Sequence, residues 1–85
     1  MGNSEFISIA KIKVLEYANK NSDISHFLCD IYVVWVCKVL QNNKALLATT
    51  HSDGMYYEVT YNGDKNELYL DCYKKQENVC FKEIV

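Results

Sequence analysis

The segment Met55–Lys75, MYYEVTYNGDKNELYLDCYKK, restricts the fold more than any other part of the chain. Two runs of alternating apolar and polar residues flank Asn62–Asn66, whose Gly, Asn and Asp residues are typical of turns. Because side chains on a strand alternate between its two faces, this pattern predicts a β-hairpin. Sheets with one buried and one solvated face are most often antiparallel, so we expect the chain to form an antiparallel sheet around this hairpin.

The predicted hairpin divides its side chains between a core-facing set and a solvent-facing set. The core-facing set is Met55, Tyr57, Val59, Tyr61, Leu68, Leu70 and Cys72. The candidate binding surface is the solvent-facing set, namely Tyr56, Glu58, Tyr69, Asp71 and Tyr73. Tyrosine is enriched where proteins bind other molecules. The alternative interpretation is that cross-strand Tyr pairs only stabilise the sheet.

The remaining sequence predicts one helix and three further strands. Asn3 or Ser4 can cap a helix that runs from about residue 4 to residue 19. Its apolar stripe is Ile7, Ala10, Val14, Tyr17 and Ala18. Strands are expected at about 30–40, 44–50, 55–61, 67–75 and 79–84, with a turn at 41–43. Residues 24–30 fit either a short extra turn or an entry into the sheet. These elements predict a single α+β domain with one N-terminal helix packed on a five-stranded antiparallel meander sheet.

The first predicted strand is apolar on both faces. Strict alternation gives one face with Ile31, Val33, Trp35, Cys37 and Val39 and another with Tyr32, Val34, Val36 and Leu40. One helix cannot cover both faces of a sheet. We therefore expect a homo-oligomer, most simply a dimer, formed through the uncovered face or an exposed sheet edge.

Composition narrows the classes of function. The 85-residue chain has a net charge of -2, and its nine basic residues are all Lys. Without Arg it lacks the planar fork that grips phosphate or guanine in pairs of hydrogen bonds, which argues against nucleic-acid recognition. No apolar run approaches the roughly 20 residues that span a bilayer, so no membrane partner is expected. The first residues lack the features of a signal peptide, which predicts a cytosolic protein with reduced cysteines.

No sequence pattern points to catalysis, a cofactor or a metal. Cys29 and Cys37, like Cys72 and Cys80, are separated by seven residues, whereas zinc sites usually pair cysteines two to four residues apart. Alternation with apolar neighbours suggests that Cys37 and Cys72 are buried thiols. The run His51–Gly54 contains the residue types of a catalytic triad, but neighbours on a tight turn rarely point at one another, so it reads as a turn. The chain is expected not to be an enzyme.

Five strings of residues resemble a family of small uncharacterised proteins encoded by phages and prophages of Gram-positive bacteria. They are Tyr32–Trp35, Cys37–Lys38, Gln41–Leu47, Ser52–Tyr57 and Tyr61–Lys65. The resemblance covers roughly the C-terminal two thirds of the chain. It implies a phage origin and carries over no functional residue, because the family has no assigned activity.

Small phage proteins without catalytic motifs usually act by binding. The leading hypothesis is an accessory protein that inhibits a host defence or replication factor through the exposed hairpin face. An alternative is a sponge that sequesters a nucleotide signal at an oligomer interface, where Tyr rings stack on the base and Lys38, Lys44 or Lys74 contacts phosphate. A weaker alternative is binding of single-stranded nucleic acid on the aromatic face.

Overall fold

The computed structural model describes all 85 residues and contains one α-helix, one 3₁₀ turn and four β-strands. Helix α1 spans Asn3–Lys20, and the 3₁₀ turn spans Leu28–Asp30. The strands are β1 (Ile31–Val39), β2 (Asn42–Thr49), β3 (Met55–Asn62) and β4 (Glu67–Lys74). They form one antiparallel sheet in the order β1-β2-β3-β4. The short connections explain why neighbours in sequence are neighbours in the sheet.

Helix α1 packs on one face of the sheet through side chains spaced four residues apart. Its buried residues are Phe6, Ala10, Val14 and Ala18. They meet a core built mainly from Ile31, Ala45, Leu47, Tyr57 and Val59. Alanines at this contact let the helix and sheet backbones approach closely, while Phe6 and Leu47 are the two largest fully buried side chains. The predicted stripe contained three of the four buried helix residues but omitted Phe6 and included Tyr17, which is exposed.

The helix begins at a different residue from the one expected. Gly2 is the N-cap, and no side chain caps the helix. The Asn3 side chain instead accepts a hydrogen bond of 3.1 Å from the Asn43 amide, which also donates to the Met1 carbonyl at 3.3 Å. Asn43 is completely buried on β2. These bonds tie the start of the helix to the sheet and satisfy a donor that would otherwise be buried without a partner.

The predicted fifth strand is wrong. Residues 79–84 pair with no other strand, and everything from residue 75 onward lies outside helices and strands. Their strand-like composition is real, but composition alone does not supply a pairing partner. The fold remains an α+β arrangement of one N-terminal helix on a four-stranded antiparallel sheet.

Strict alternation also fails on β1. A β-bulge lies between Val33, which pairs with Leu47, and Trp35, which pairs with Leu46. The extra residue reverses the alternation, so Tyr32 and Trp35 lie on the same face of the sheet. Val36, which pairs with Ala45, packs against the core. The two faces predicted for this strand were therefore wrong beyond the bulge.

The two hairpin tips pack against each other at one end of the sheet. The β1–β2 turn is Leu40-Gln41 rather than residues 41–43, and Leu40 has a φ of 57°. Gly63 in the β3–β4 turn approaches it so closely that a β-carbon there would lie 2.1 Å from the Gln41 carbonyl oxygen. The Gly63 amide donates a 3.2 Å hydrogen bond to the side chain of Asn42.

Candidate functional site

The sheet face opposite α1 carries no second layer, and we call it the outer face. Directly paired residues place its side chains in rows across the strands. The first row is Tyr32, Ala48, Tyr56 and Tyr73; the second is Trp35, Leu46, Glu58 and Asp71; the third is Cys37, Lys44, Thr60 and Tyr69. The five residues of the predicted hairpin surface thus share one face of the sheet.

The outer face combines exposed aromatic rings with few charges. Trp35 is 42% exposed and Tyr73 is 52% exposed, and Tyr32 and Tyr69 are similarly accessible. Lys44 pairs with Glu58 at 3.5 Å, whereas Asp71 has no basic partner within salt-bridge distance. The surface is therefore aromatic with an unpaired negative charge.

Sequence reasoning missed the contribution of β1 to this surface. Tyr32 and Trp35 both share the outer face with the hairpin residues, across β2, only because the bulge reverses the alternation between them. The only signal that could have located them was their aromatic character in a strand that is apolar on both faces. They double the width of the aromatic surface beyond the hairpin.

The three candidate anion-binding lysines do not converge. Lys44 lies on the outer face, where it is engaged with Glu58. Lys38 pairs with Asn43 near the hairpin tips, on the helix side of the sheet. Lys74 pairs with Met55 at the opposite end of the strands. Within one chain, the structure therefore offers no cluster of lysines for a phosphate group.

An open cleft of about 370 Å³ adjoins the first row of the outer face. It is bounded by Tyr32, Ala48 and Tyr56 on the strands and by the loop 51–54 together with Lys75. Ala48 lies between the two tyrosines and is itself only 3% exposed, so the side chains around it cover it.

A histidine pair lies beneath the loops at the same end of the sheet. The rings of His26 and His51 pack edge to face, with centroids 4.4 Å apart. His51 lies 3.7 Å from the Asp30 carboxylate, and His26 is buried with neither ring nitrogen hydrogen-bonded. Asn19 holds the His26 backbone through bonds of 2.7 and 3.1 Å. This arrangement anchors the loop after α1 on the sheet.

The Asp30 carboxylate organises that junction. It accepts a 2.9 Å hydrogen bond from the Phe27 amide and a 3.3 Å bond from the Thr50 hydroxyl. The Phe27 bond, with help from Thr50 and His51, lowers the pKa of Asp30 below its ordinary value. Hydrogen bonds to the charged form have this effect. The charge holds the segments around Phe27 and Thr50 together.

The four cysteines differ in exposure. All four are free; Cys29, Cys37 and Cys80 are exposed, which corrects the expectation that Cys37 is buried. Burial raises the pKa of the Cys72 thiol, so the nucleophilic thiolate is disfavoured there. No group of three or more His, Cys, Asp or Glu side chains is placed to hold a metal ion.

Tyr57, on the core side of β3, lies under the end of the helix. Its ring packs edge to face against Tyr17, with centroids 6.1 Å apart. Burial, together with the neighbouring Cys72, Asp53 and Tyr17, raises the pKa of the Tyr57 phenol to about 12. Tyr57 therefore belongs to the structural core, unlike its neighbour Tyr56 on the outer face.

Neither helical segment is both long and apolar enough to cross a lipid bilayer.

Comparison with known proteins places the chain in a family without an assigned role. Residues 7–83 match the model of a family of unknown function (DUF6275). No curated protein and no solved structure matches the chain. Because the matched region includes the helix and all four strands apart from the first helical residues, the chain belongs to this family.

Proposed function

We propose that this protein acts by binding rather than catalysis, and that its outer face docks on a protein partner. The observation that carries the proposal is the uncovered aromatic face built from Tyr32, Trp35, Tyr56, Tyr69 and Tyr73. Tyr and Trp dominate the binding energy of protein interfaces because they bury much area with little loss of conformational freedom. A sheet face of this composition is a suitable centre for such an interface.

The charge of the outer face suits a partner with basic groups. Asp71 is unpaired in the second row, on the edge strand β4, and Glu67 lies at the border of the face, while Lys44 is neutralised by Glu58. The whole chain has a net charge of -2. Complementary charge speeds association and excludes partners of the same sign. The fitting partner surface presents apolar side chains to the exposed rings of the outer face and a Lys or Arg to Asp71.

The biological setting follows from the resemblance to phage and prophage proteins. In this proposal the chain is a small phage-encoded accessory protein in the bacterial cytosol, and its partner is a host defence or replication factor. An acidic, aromatic surface competes naturally for a basic groove that a host enzyme uses for nucleic acid. Such competition inhibits the enzyme without any chemistry on the part of this chain.

The test uses one partner and three variants. A tagged chain captures its stoichiometric partner from host extract, and the affinity is then measured with both proteins purified. We expect Trp35→Ala and Tyr73→Ala each to weaken binding by about tenfold or more. The matched control is Ile12→Ala, which removes an equally exposed apolar side chain from the helix on the far side of the sheet. Equal affinities for all three variants would place the interface elsewhere.

The cleft beside the outer face favours a second candidate, a sponge for a nucleotide signal. Its volume of about 370 Å³ falls within the range of small-molecule sites. The tyrosines flanking Ala48 could stack on a base, and Lys75 at the rim is the available cation. A rise in melting temperature with cyclic nucleotides, abolished by Tyr56→Ala, would support this candidate over a protein partner.

The outer face is poorly suited to single-stranded nucleic acid. Stacking platforms for bases need a positive groove along the backbone. Here Glu58 and Asp71 occupy the middle row, and the nearest lysine is already paired. The phosphates of a nucleic acid would be repelled by the unpaired carboxylate on this face.

A further inference from the structure

The C-terminal arm, residues 76–85, projects from the domain without a partner. Every arm residue is exposed, and Phe81 and Ile84 are each 75% exposed. The radius of gyration of the chain is 14.5 Å, whereas a compact domain of this length has one of about 12 Å. Yet Val79–Ile84 is rich in the β-branched and aromatic residue types that are typical of strands. An apolar segment of this composition that is exposed to water is expected to pair with another strand.

The sheet has an unpaired edge at β4 that could accept such a strand. Because the strand order is β1-β2-β3-β4, β4 pairs only with β3, and its other edge has free amide and carbonyl groups. Beside that edge a groove of about 360 Å³ separates β4 from α1. Leu68 and Leu70 form its apolar floor, and they are only half-buried although they belong to the core.

The arm and this groove are complementary in charge as well as in polarity. Extended pairing would place Val79, Phe81 and Glu83 on one face of the arm. The apolar pair then lies over the leucine floor. The groove is also lined by Lys13, Glu16 and Lys20, so its lining is net positive; Lys13 is paired with Glu16 at 3.5 Å, which leaves Lys20 as the cation available to Glu83.

The opposite face of the arm fits the outer face of β4 in the same way. Extended pairing would direct Cys80, Lys82 and Ile84 to that side. Lys82 then approaches Glu67, which lies at the border of the outer face and has no salt-bridge partner.

The arm of the same molecule does not occupy the groove. The Lys75 amide donates a 2.7 Å hydrogen bond to Gly54, which keeps the base of the arm directed along β3. Further along, Glu83 has a φ of 57°, a conformation that non-glycine residues adopt at a cost and that an extended strand would relieve. The arm is therefore not paired with β4 of its own chain and is accessible to another molecule.

We propose that two copies exchange arms, with Val79–Ile84 of each copy added as a fifth strand to the β4 edge of the other. Two-fold symmetry makes the exchange reciprocal, so both arms and both edges are satisfied at once. Strand addition of this kind draws affinity from main-chain hydrogen bonds and specificity from alternate side chains. The arm lies beside the edge strand β4 and leaves Asp71 and the outer-face residues of β1, β2 and β3 uncovered, so the dimer does not depend on partner binding.

The test measures the mass and dissociation constant of the full-length chain by sedimentation. Phe81→Asp should raise the dimer dissociation constant by at least about tenfold, because it places a carboxylate over the leucine floor. The matched control is Leu40→Asp, which adds the same charge at an exposed leucine on the hairpin tips and should leave the dimer intact. Lys82→Glu and Glu67→Lys should each weaken the dimer, and their combination should restore it.

Hydrogen exchange of the arm amides completes the test. Protection of 79–84 that increases with protein concentration supports exchange between copies. A monomer with protected arm amides would show that the arm folds back on its own β4, and a monomer with unprotected arm amides would show no pairing. A dimer that resists Phe81→Asp would place the interface elsewhere. Each of these three results overturns the proposal.

Discussion

Replacing Tyr57 by Phe should remove a specific dependence of stability on alkaline pH. The phenol has an ordinary pKa of 10.0 and a folded-state pKa of about 12. Each pKa unit corresponds to about 1.4 kcal/mol, so the difference amounts to roughly 2 to 3 kcal/mol. The cause is burial under the end of the helix, where the phenolate would lose its hydration.

The direction of the effect follows from linkage. The folded-state pKa is above the unfolded one, so the contribution is fully present below pH 10 and is lost as the pH rises through about 12. In wild-type protein the free energy of unfolding should fall over this window. Urea unfolding from neutral pH to about pH 12 measures the fall, and tyrosinate absorbance identifies the phenol that ionises last.

The neighbouring tyrosine provides the control. Tyr57→Phe should flatten the alkaline decline and remove the last step of the phenol titration, whereas Tyr56→Phe on the outer face should preserve both. If Tyr56→Phe removed that step and Tyr57→Phe did not, β3 would have the opposite face toward the core. The register of the hairpin, and with it the outer face, would then be refuted.

Three further predictions concern the loops. Gly63→Ala should destabilise the protein by about 1 to 3 kcal/mol in urea unfolding, because its β-carbon would overlap the Gln41 carbonyl; an unchanged midpoint would contradict the contact between the hairpin tips. Leu40→Asn should stabilise it by roughly 0.5 kcal/mol, since Asn tolerates a positive φ better than Leu does. The Phe27 amide bond lowers the pKa of Asp30, so its contribution is present above about pH 4 and lost in acid. Asp30→Asn should therefore differ from wild type at neutral pH and converge with it in acid, and a constant difference would be evidence against that bond.

The hairpin could be predicted from sequence because its signals are local. Alternation from Met55 to Tyr61 and from Glu67 to Tyr73 is unbroken, and Asn and Gly residues supply the turn between them. Register then follows, since a one-residue shift would turn every core side chain toward water. The shared face of the five predicted surface residues is a direct consequence of that register.

Neither the bulge on β1 nor the unpaired C-terminal arm could be predicted from the sequence. A single extra residue at Val34 leaves no compositional mark when both faces of the strand are apolar, so Tyr32 and Trp35 could not be assigned to one face. Residues 79–84 carry strand composition, but whether a strand pairs depends on an available edge and on the direction of the preceding loop. The β1–β2 turn was misplaced because residue type alone does not show which residues are buried. Asn43 is a typical turn residue, but here it is buried in β2.

The most direct test of the outer face as the binding surface measures the fluorescence of Trp35, which lies on that face. Trp35 is the single tryptophan of the chain and is 42% exposed in the second row of that face. Acrylamide quenching of its fluorescence should be strong in the free protein and should fall sharply when a tryptophan-free preparation or fragment of the purified partner is added to saturation. If the partner binds and the quenching of Trp35 does not change, the partner docks elsewhere and the proposed function of the outer face is wrong.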